Sequence, residues 1–150
     1  MFSIRNAAES DAEALLELYT RHLTANPPGE PQSIDRWREL LREIGRDPGY
    51  HLLVGEENGV LCSSVTCIVI KNLTHNLRPY AVVENVVTHA SCRGRGFASA
   101  LMARAVQIAG QSGCYKVMLM TGSKKDETLR FYENCGFNRN EKTAFIKRLP

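Results

Sequence analysis

From Glu84 to Met102 the chain reads Glu-Asn-Val-Val-Thr-His-Ala-Ser-Cys-Arg-Gly-Arg-Gly-Phe-Ala-Ser-Ala-Leu-Met. An apolar, β-like run from Ala81 to Thr88 stops at a short polar turn. Arg93-Gly94-Arg95-Gly96 follows, and a helix-patterned run starts at Phe97. Glycine has no Cβ, so Gly94 and Gly96 let the backbone approach a ligand closely and adopt unusual dihedrals. A helix start leaves N–H groups unpaired at the positive end of the helix dipole, and two arginines add full charge. Strand, Gly/Arg turn and helix N-terminus together make a seat for a phosphate or pyrophosphate. A plain strand-to-helix turn with solvated arginines is the simpler alternative. An Arg-Gly RNA-binding tail fits less well, because the repeat is brief and lies between two apolar elements. There is no Gly-x-Gly-x-x-Gly, and no Gly-Lys-Ser/Thr closes a phosphate loop.

The rest of the chain places this unit in a mixed α/β sheet. Phe2 to Asn6 reads as a first strand. Ser10 with Glu13 fits a capping box, and Leu15, Leu18, Tyr19 and Leu23 follow at helical spacing. Pro27-Pro28-Gly29 breaks that pattern and reads as a helix–helix connection. A second helix after Ser33 ends at Gly45 and is expected to bury Ile34, Trp37, Leu40, Leu41 and Ile44. His51 to Glu56 and Val60 to Ile70 read as strands, and Asn58-Gly59 between them is a strong hairpin signal. Lys71 to Pro79 is a polar loop. The near-continuous apolar run Ala81 to Thr88 fits a central strand, with Glu84 as its anomaly. A helix over Phe97 to Ala109 carries Phe97, Leu101, Ala105 and Ile108 on one stripe. Strands over Tyr115 to Thr121 and Thr143 to Leu149 flank a short helix, Glu127 to Cys135, stopped by Gly136. Strand–helix–strand implies a parallel crossover and the hairpin implies antiparallel pairing. The expected fold is one domain over residues 1–150, with helices on both faces of a mostly antiparallel sheet.

Composition narrows the function classes. With 150 residues, 43% hydrophobic and 23% charged, the chain has material for an ordinary globular core. A net charge of +3 is too slight to argue for nucleic acid, and no apolar run is long enough to span a membrane. The N-terminus lacks the apolar stretch of a signal peptide. The cysteines, Cys62, Cys67, Cys92, Cys114 and Cys135, are five in number and lack metal-ligand spacing. They read as reduced thiols of a cytoplasmic protein without a metal.

Arg93-Gly94-Arg95-Gly96-Phe97-Ala98 resembles Arg/Gln-x-x-Gly-x-Gly/Ala, the acyl-CoA pyrophosphate motif of the GNAT N-acetyltransferases. Phe131-Tyr132-Glu133-Asn134-Cys135-Gly136-Phe137 resembles that family's Phe-Tyr-x-x-x-Gly-Phe segment. The two motifs come in the family's order, and the resemblance covers about Val60 to Ile146. It implies a GNAT-like acyl-CoA N-acyltransferase fold and an enzyme that takes acetyl-CoA as cosubstrate and an amine as acceptor. It also implies a possible homodimer, and it makes the Pro27-Pro28-Gly29 segment a candidate substrate loop, since the family's first helices and their linker commonly border the acceptor pocket. By position, Val86, Val87 and Thr88 would pair with the pantetheine arm, with an N–H there, that of Val87, on the thioester carbonyl. Arg93 to Ala98, with Ser99, would hold the pyrophosphate. Tyr132 matches the family's general acid beside the CoA sulfur.

Acetyl transfer from a thioester to an amine needs a neutral amine, a donor for the oxyanion and a proton for the departing thiolate. No enzyme nucleophile is required. Tyr132 meets the last need, unless it only packs beside Phe131. Glu84 is the candidate base, with ion pairing or binding of the substrate ammonium as the alternatives. Asn85 beside it is a candidate acceptor contact. The pair Glu84-Asn85 resembles the acidic pair of the glucosamine-phosphate acetyltransferase branch, with an amide in place of the second acid. Many members have Asn where this chain has Lys125, so Lys124, Lys125 or Arg130 could instead meet the cofactor's phosphates. His75 and His89 are further base candidates that also read as surface residues, and Cys92 has no triad partner in sequence. A CoA-binding sensor without turnover and a protein-lysine acetyltransferase remain the alternatives.

Overall fold

The computed structural model describes residues 1–23 and 32–150. The Pro27-Pro28-Gly29 segment therefore lies outside the described residues. The others form a five-stranded sheet in the order β1 (Phe2–Asn6), β2 (Tyr50–Glu57), β3 (Val60–Ile70), β4 (Tyr80–Thr88), β5 (Val117–Leu119). The first four strands pair antiparallel, and β5 joins β4 parallel. Helices α1 (Ala12–His22) and α2 (Ile34–Arg46) cover one face. Helices α4 (Phe97–Gln111) and α5 (Asp126–Asn134) cover the other. A single turn, α3 (Thr74–Leu77), interrupts the β3–β4 loop; its His75, Asn76 and Leu77 have positive φ.

Two covered faces explain the continuous apolar runs. Along β2, Leu53 packs into the core beneath α4 while its neighbours Leu52 and Val54 pack beneath α1 and α2. The α4 stripe is as the helical period predicts: Phe97, Leu101, Met102, Ala105, Ile108 and Ala109 are buried. Full burial of a side chain such as Leu101 contributes about 2 kcal/mol. At Gly55 the sheet meets this layer so closely that a Cβ would lie 2.7 Å from both Leu101 Cδ1 and Phe2 Cε2. The Asn58-Gly59 hairpin turn has φ of 52° and 78°, as a tight two-residue turn requires.

Several sequence expectations are corrected. Ser10 caps no helix. Asp11 stands at the start of α1, and its carboxylate accepts from Ala8 N–H at 2.7 Å and from Arg5 at 2.7 and 2.8 Å. That fork, with Glu56 on the same guanidinium at 3.0 Å, ties β1 to β2 and to the α1 entrance. Leu40 is 55% exposed, while Leu41 is the buried leucine of α2. The strand expected over Tyr115 to Thr121 is only Val117–Leu119: the Tyr115 N–H bonds the Pro79 carbonyl at 3.0 Å just before β4 begins, and beyond Val83 the β4 register slips, which ends the pairing with β5. Thr143 to Leu149 is not a strand: no sheet edge reaches it, and its residues are exposed.

All five cysteines are free thiols. Burial pushes Cys62 and Cys67 up to about 11, with the neighbouring Cys92 and Cys114 thiols contributing, and raises Cys114 and Cys135 as well. No helix among the described residues is long and apolar enough to cross a membrane.

Candidate active site

The site begins with a defect in β4. Asn85 has φ of 52°, and the β3–β4 register slips between Ser64 and Thr66. Val83 pairs with Cys67, and Glu84 with Thr66, but Val87 pairs with Ser64. The extra residue is a β-bulge, which bends the strand and re-aims side chains. The slip coincides with the end of β5, whose last partner is Val83. From Glu84 to Thr88, β4 therefore has, among the described residues, no strand on the side that β5 occupies earlier. A notch opens in the sheet, edged by Val86, Val87 and Thr88. The far side of this stretch is fixed: Ser63 Oγ donates to the Val87 carbonyl at 2.8 Å and lies 3.0 Å from Thr88 Oγ1.

At the end of β4 a 3-10 turn, Ala90–Cys92, delivers the chain to the Arg/Gly turn. Gly94 and Gly96 have φ of 72° and 83°, the left-handed region where glycine is favoured. Gly96 is the N-cap of α4, and no side chain caps it. The first α4 bond is from Ala100 N–H to Gly96 C=O at 3.0 Å. Among the described residues, the N–H groups of Gly94, Arg95, Gly96, Phe97, Ala98 and Ser99 have no hydrogen-bond acceptor. Consecutive unpaired N–H groups at a helix start form an anion-binding concavity. The arginines are partly committed elsewhere. Arg95 grips Glu57 at 2.7 and 2.9 Å and lies over the Phe97 ring, and Arg93 Nε donates to the Thr88 carbonyl at 3.3 Å.

Tyr132, on α5, packs against the core beneath α4, with its ring edge-on to Phe131 at 5.1 Å. Burial first, then Cys135 and Glu84, raises its phenol above the ordinary value, so it stays protonated. Its hydroxyl makes no hydrogen bond among the described residues and is not sealed from solvent. Glu84 is half-buried and has no hydrogen bond or salt bridge among the described residues, so it is not consumed by a structural ion pair. Cross-strand partners share a face. Glu84 therefore lies on the face of Thr66, toward α1 and α2.

On that face is a cavity of about 830 Å³. Its wall includes Tyr19, Trp37 and Tyr50, with Thr66 and Asn85 at the sheet and Gln32, Ser33 and Arg36 at the start of α2. Trp37 Nε1 donates to Gln32 Oε1 at 2.6 Å, and the Tyr19 and Trp37 ring centroids are 6.0 Å apart. Tyr19 Oη lies 3.4 Å from Ser64 Oγ. The helical period identified Tyr19 and Trp37 as inward-facing but did not show that they line a cavity. Tyr50 and Arg36 were missed altogether. Two aromatic residues facing each other from consecutive amphipathic helices were the available signal.

The other candidates stand apart. Lys125 is exposed at the start of α5, where its N–H donates to Ser123 Oγ at 3.3 Å; Lys124 and Arg130 are exposed too. His75 stacks on Tyr115. His89 Nδ1 accepts from Ser91 N–H at 3.1 Å, and its ring lies 4.3 Å from that of His22. Cys92 is buried against Cys62 and Phe97, with Ser91 Oγ 3.7 Å from its thiol. Among the described residues no group of three or more His, Cys, Asp or Glu could hold a metal ion.

Comparison with known proteins agrees with this geometry. Residues 12–137 match the acetyltransferase (GNAT) family. A glucosamine 6-phosphate N-acetyltransferase of Trypanosoma brucei brucei is 30% identical over 139 residues, which is 93% of this chain and 90% of that protein. A solved protein of Agrobacterium tumefaciens str. C58 superimposes with a TM-score of 0.87 at 36% identity, over 97% of this chain and 99% of that one. The glucosamine-6-phosphate N-acetyltransferase of Arabidopsis thaliana superimposes with a TM-score of 0.81 at 25% identity, over 100% and 99%.

Proposed function

The chain belongs to the acetyltransferase (GNAT) family, and we propose that it moves the acetyl group of acetyl-CoA directly onto the primary amine of a small acceptor, an amino sugar first among the candidates. The observation that carries this reading is the unpaired N–H row from Gly94 to Ser99, at the end of a strand whose edge is open from Glu84 to Thr88. The row fits a pyrophosphate. The open edge at Val86 and Thr88 offers backbone groups to the amides of a pantetheine arm, which leads toward Tyr132, while Val87 turns its own toward β3.

In this reading the acceptor occupies the cavity on the α1–α2 face. Its aromatic wall suits the apolar face of a sugar ring, and Gln32, Ser33, Arg36 and Asn85 supply polar contacts. The T. brucei brucei and A. thaliana names point to the same class. Glu84 takes the proton of the substrate ammonium, directly or through water. Val87 turns its carbonyl and N–H toward β3, so the oxyanion donor in this reading is an N–H on the open side, that of Val86 or Thr88, and Tyr132 gives its proton to the departing thiolate. Holding both reactants at the notch provides a large part of the acceleration, since no covalent enzyme intermediate is needed. We place the activity in a single domain over residues 1–150, in a reducing compartment that suits five free thiols.

The test is thiol release from acetyl-CoA with a panel of amines: glucosamine, its 6-phosphate, polyamines, amino acids, aminoglycosides and a lysine peptide. Product masses identify what is acetylated. The expected result is an N-acetylated amino sugar. Turnover of another amine alone would discard the acceptor class and keep the reaction. Saturable CoA binding with no turnover on any amine would discard the reaction.

A further inference from the structure

The acetyl-transfer steps leave His89 unused, although it stands where β4 passes into the Arg/Gly turn. Its N–H donates to the Cys62 carbonyl of β3 at 2.8 Å, which closes the sheet at this end. The next three residues are the 3-10 turn Ala90–Cys92, and His89 is its N-cap. The capping group is the imidazole itself. Nδ1 accepts from the Ser91 N–H at 3.1 Å, and Ser91 Oγ lies 2.8 Å from the same nitrogen. Asn, Asp, Ser and Thr are the usual caps, and their side-chain oxygens accept throughout the neutral pH range. An imidazole nitrogen accepts only while it carries no proton.

The ring is held from a second side. Its centroid lies 4.3 Å from that of His22 at the end of α1, with the planes at 52°. Within the turn, Cys92 N–H returns to the His89 carbonyl at 2.9 Å, while Arg93 N–H reaches the Ala90 carbonyl only at 3.5 Å. The cap is therefore one of few good bonds that fix the direction of the turn. Gly94 follows Arg93 directly, so that direction decides where the N–H groups of residues 94–99 point. The charged and titratable groups around the His22–His89 pair are Glu17 and Arg21 of α1, Arg93 of the turn, and the Cys62 and Cys92 thiols. Partial burial, then His89 and Arg93, holds His22 below the usual imidazole range. Among the described residues no carboxylate bonds either ring, so nothing there rewards a proton on His89.

We propose that His89 is a positioning residue for the cofactor: as a neutral imidazole it caps the Ala90–Cys92 turn and aims the N–H row, and as an imidazolium it releases the turn. The inference rests on the acyl-CoA reading of that row. An imidazolium donates from both nitrogens, so a proton on Nδ1 sets donor against donor at the Ser91 N–H and frees the turn. The sign follows from linkage. If CoA needs the capped turn, it binds best where His89 is neutral and weakens as pH falls through the range in which imidazoles ordinarily charge. A histidine that met the phosphates as a cation would give the opposite slope.

The test is CoA binding by calorimetry from about pH 5.5 to pH 8, for the wild type, His89→Asn and His89→Ala. Asparagine caps well and does not titrate. His22 and the phosphates of CoA titrate in all three proteins, so the comparison isolates His89. At pH 8, His89→Asn should match the wild type within about 2-fold, and His89→Ala should bind about 5-fold more weakly. At pH 5.5, His89→Asn should bind about 5-fold more tightly than the wild type, while His89→Ala and the wild type converge. In turnover the loss in His89→Ala should appear in KM for acetyl-CoA and not in kcat. Ring 15N shifts of the CoA-free wild type at pH 8 should show the proton on Nε2. Should His89→Ala fail to fold, the wild type against His89→Asn decides alone. Wild type and His89→Asn following one pH curve would overturn the proposal, as would tighter wild-type binding in acid or a proton on Nδ1 at pH 8. Each of these outcomes leaves the acyl-CoA reading standing, whereas a wild type that binds no CoA at pH 8 discards that reading and this one with it.

Discussion

Tyr132 is held by its ring, and its hydroxyl has no hydrogen-bond partner among the described residues. The ring packs beside Phe131 in the core beneath α4, so Tyr132→Phe should fold normally and bind acetyl-CoA as before. Only the hydroxyl, the proposed proton donor, is lost. Turnover should fall about 10²-fold, with the loss in the chemical step and not in binding. The pKa direction adds a pH signature. The neutral form is the donor, and burial disfavours the phenolate. The protonated fraction is therefore complete at neutral pH and is lost only above the range where an ordinary phenol ionises. The deficit of Tyr132→Phe should be flat from neutral to mildly alkaline pH in single-turnover measurements. An acetyl-transfer step at the wild-type rate would make Tyr132 a packing residue. Gly96 works differently. A Cβ there meets no protein atom within 4 Å, so steric overlap inside the chain is not its constraint. The constraint is φ of 83°, which costs a residue with a Cβ about 1–2 kcal/mol and a β-branched one more. Gly96→Val should relax by turning the N–H row away from a bound phosphate. CoA affinity should weaken about 10-fold or more, read by calorimetry on a variant with native circular dichroism. Unchanged affinity would remove the row from the CoA site.

At the scale of elements, the site depends on how β2 and β4 fit their neighbours. Gly55 lets β2 approach α4, the helix whose first turn carries the N–H row. Gly55→Ala would drive a methyl into Leu101 and Phe2, and such overpacking costs about 1–3 kcal/mol. The midpoint of urea unfolding should drop with little change in slope; an unchanged midpoint would mean that the layer yields freely. Legibility in the sequence also divides by element. β3 was found end to end, because Asn58-Gly59 fixes its start and its apolar run is long. The α4 stripe was legible because six of its residues fall on one helical face. β5 and the last strand were overcalled, since a strand's extent depends on a partner's position as much as on its own composition. The Asn85 bulge left no local signature. It arises where two pairings of unequal length meet, and its asparagine was read only as a candidate acceptor contact.

For the whole molecule, the fold class and the family were legible because two short motifs lie on elements whose order the hydrophobic pattern also gives. The cavity proposed for the acceptor was not legible, because it is assembled from residues far apart in sequence: Tyr19 from α1, Trp37 from α2, Tyr50 from β2 and Asn85 from the bulge. Only the packing of α1 and α2 on the sheet brings them together. The burial of the thiols carries a further consequence for measurement. Released CoA is counted with reagents that attack thiolates. Cys62 and Cys67, with values pushed up to about 11, are almost wholly protonated near pH 8, and both lie inside the core. Native enzyme should therefore add a small blank to such a colorimetric trace, while the same enzyme in denaturant titrates for all five cysteines.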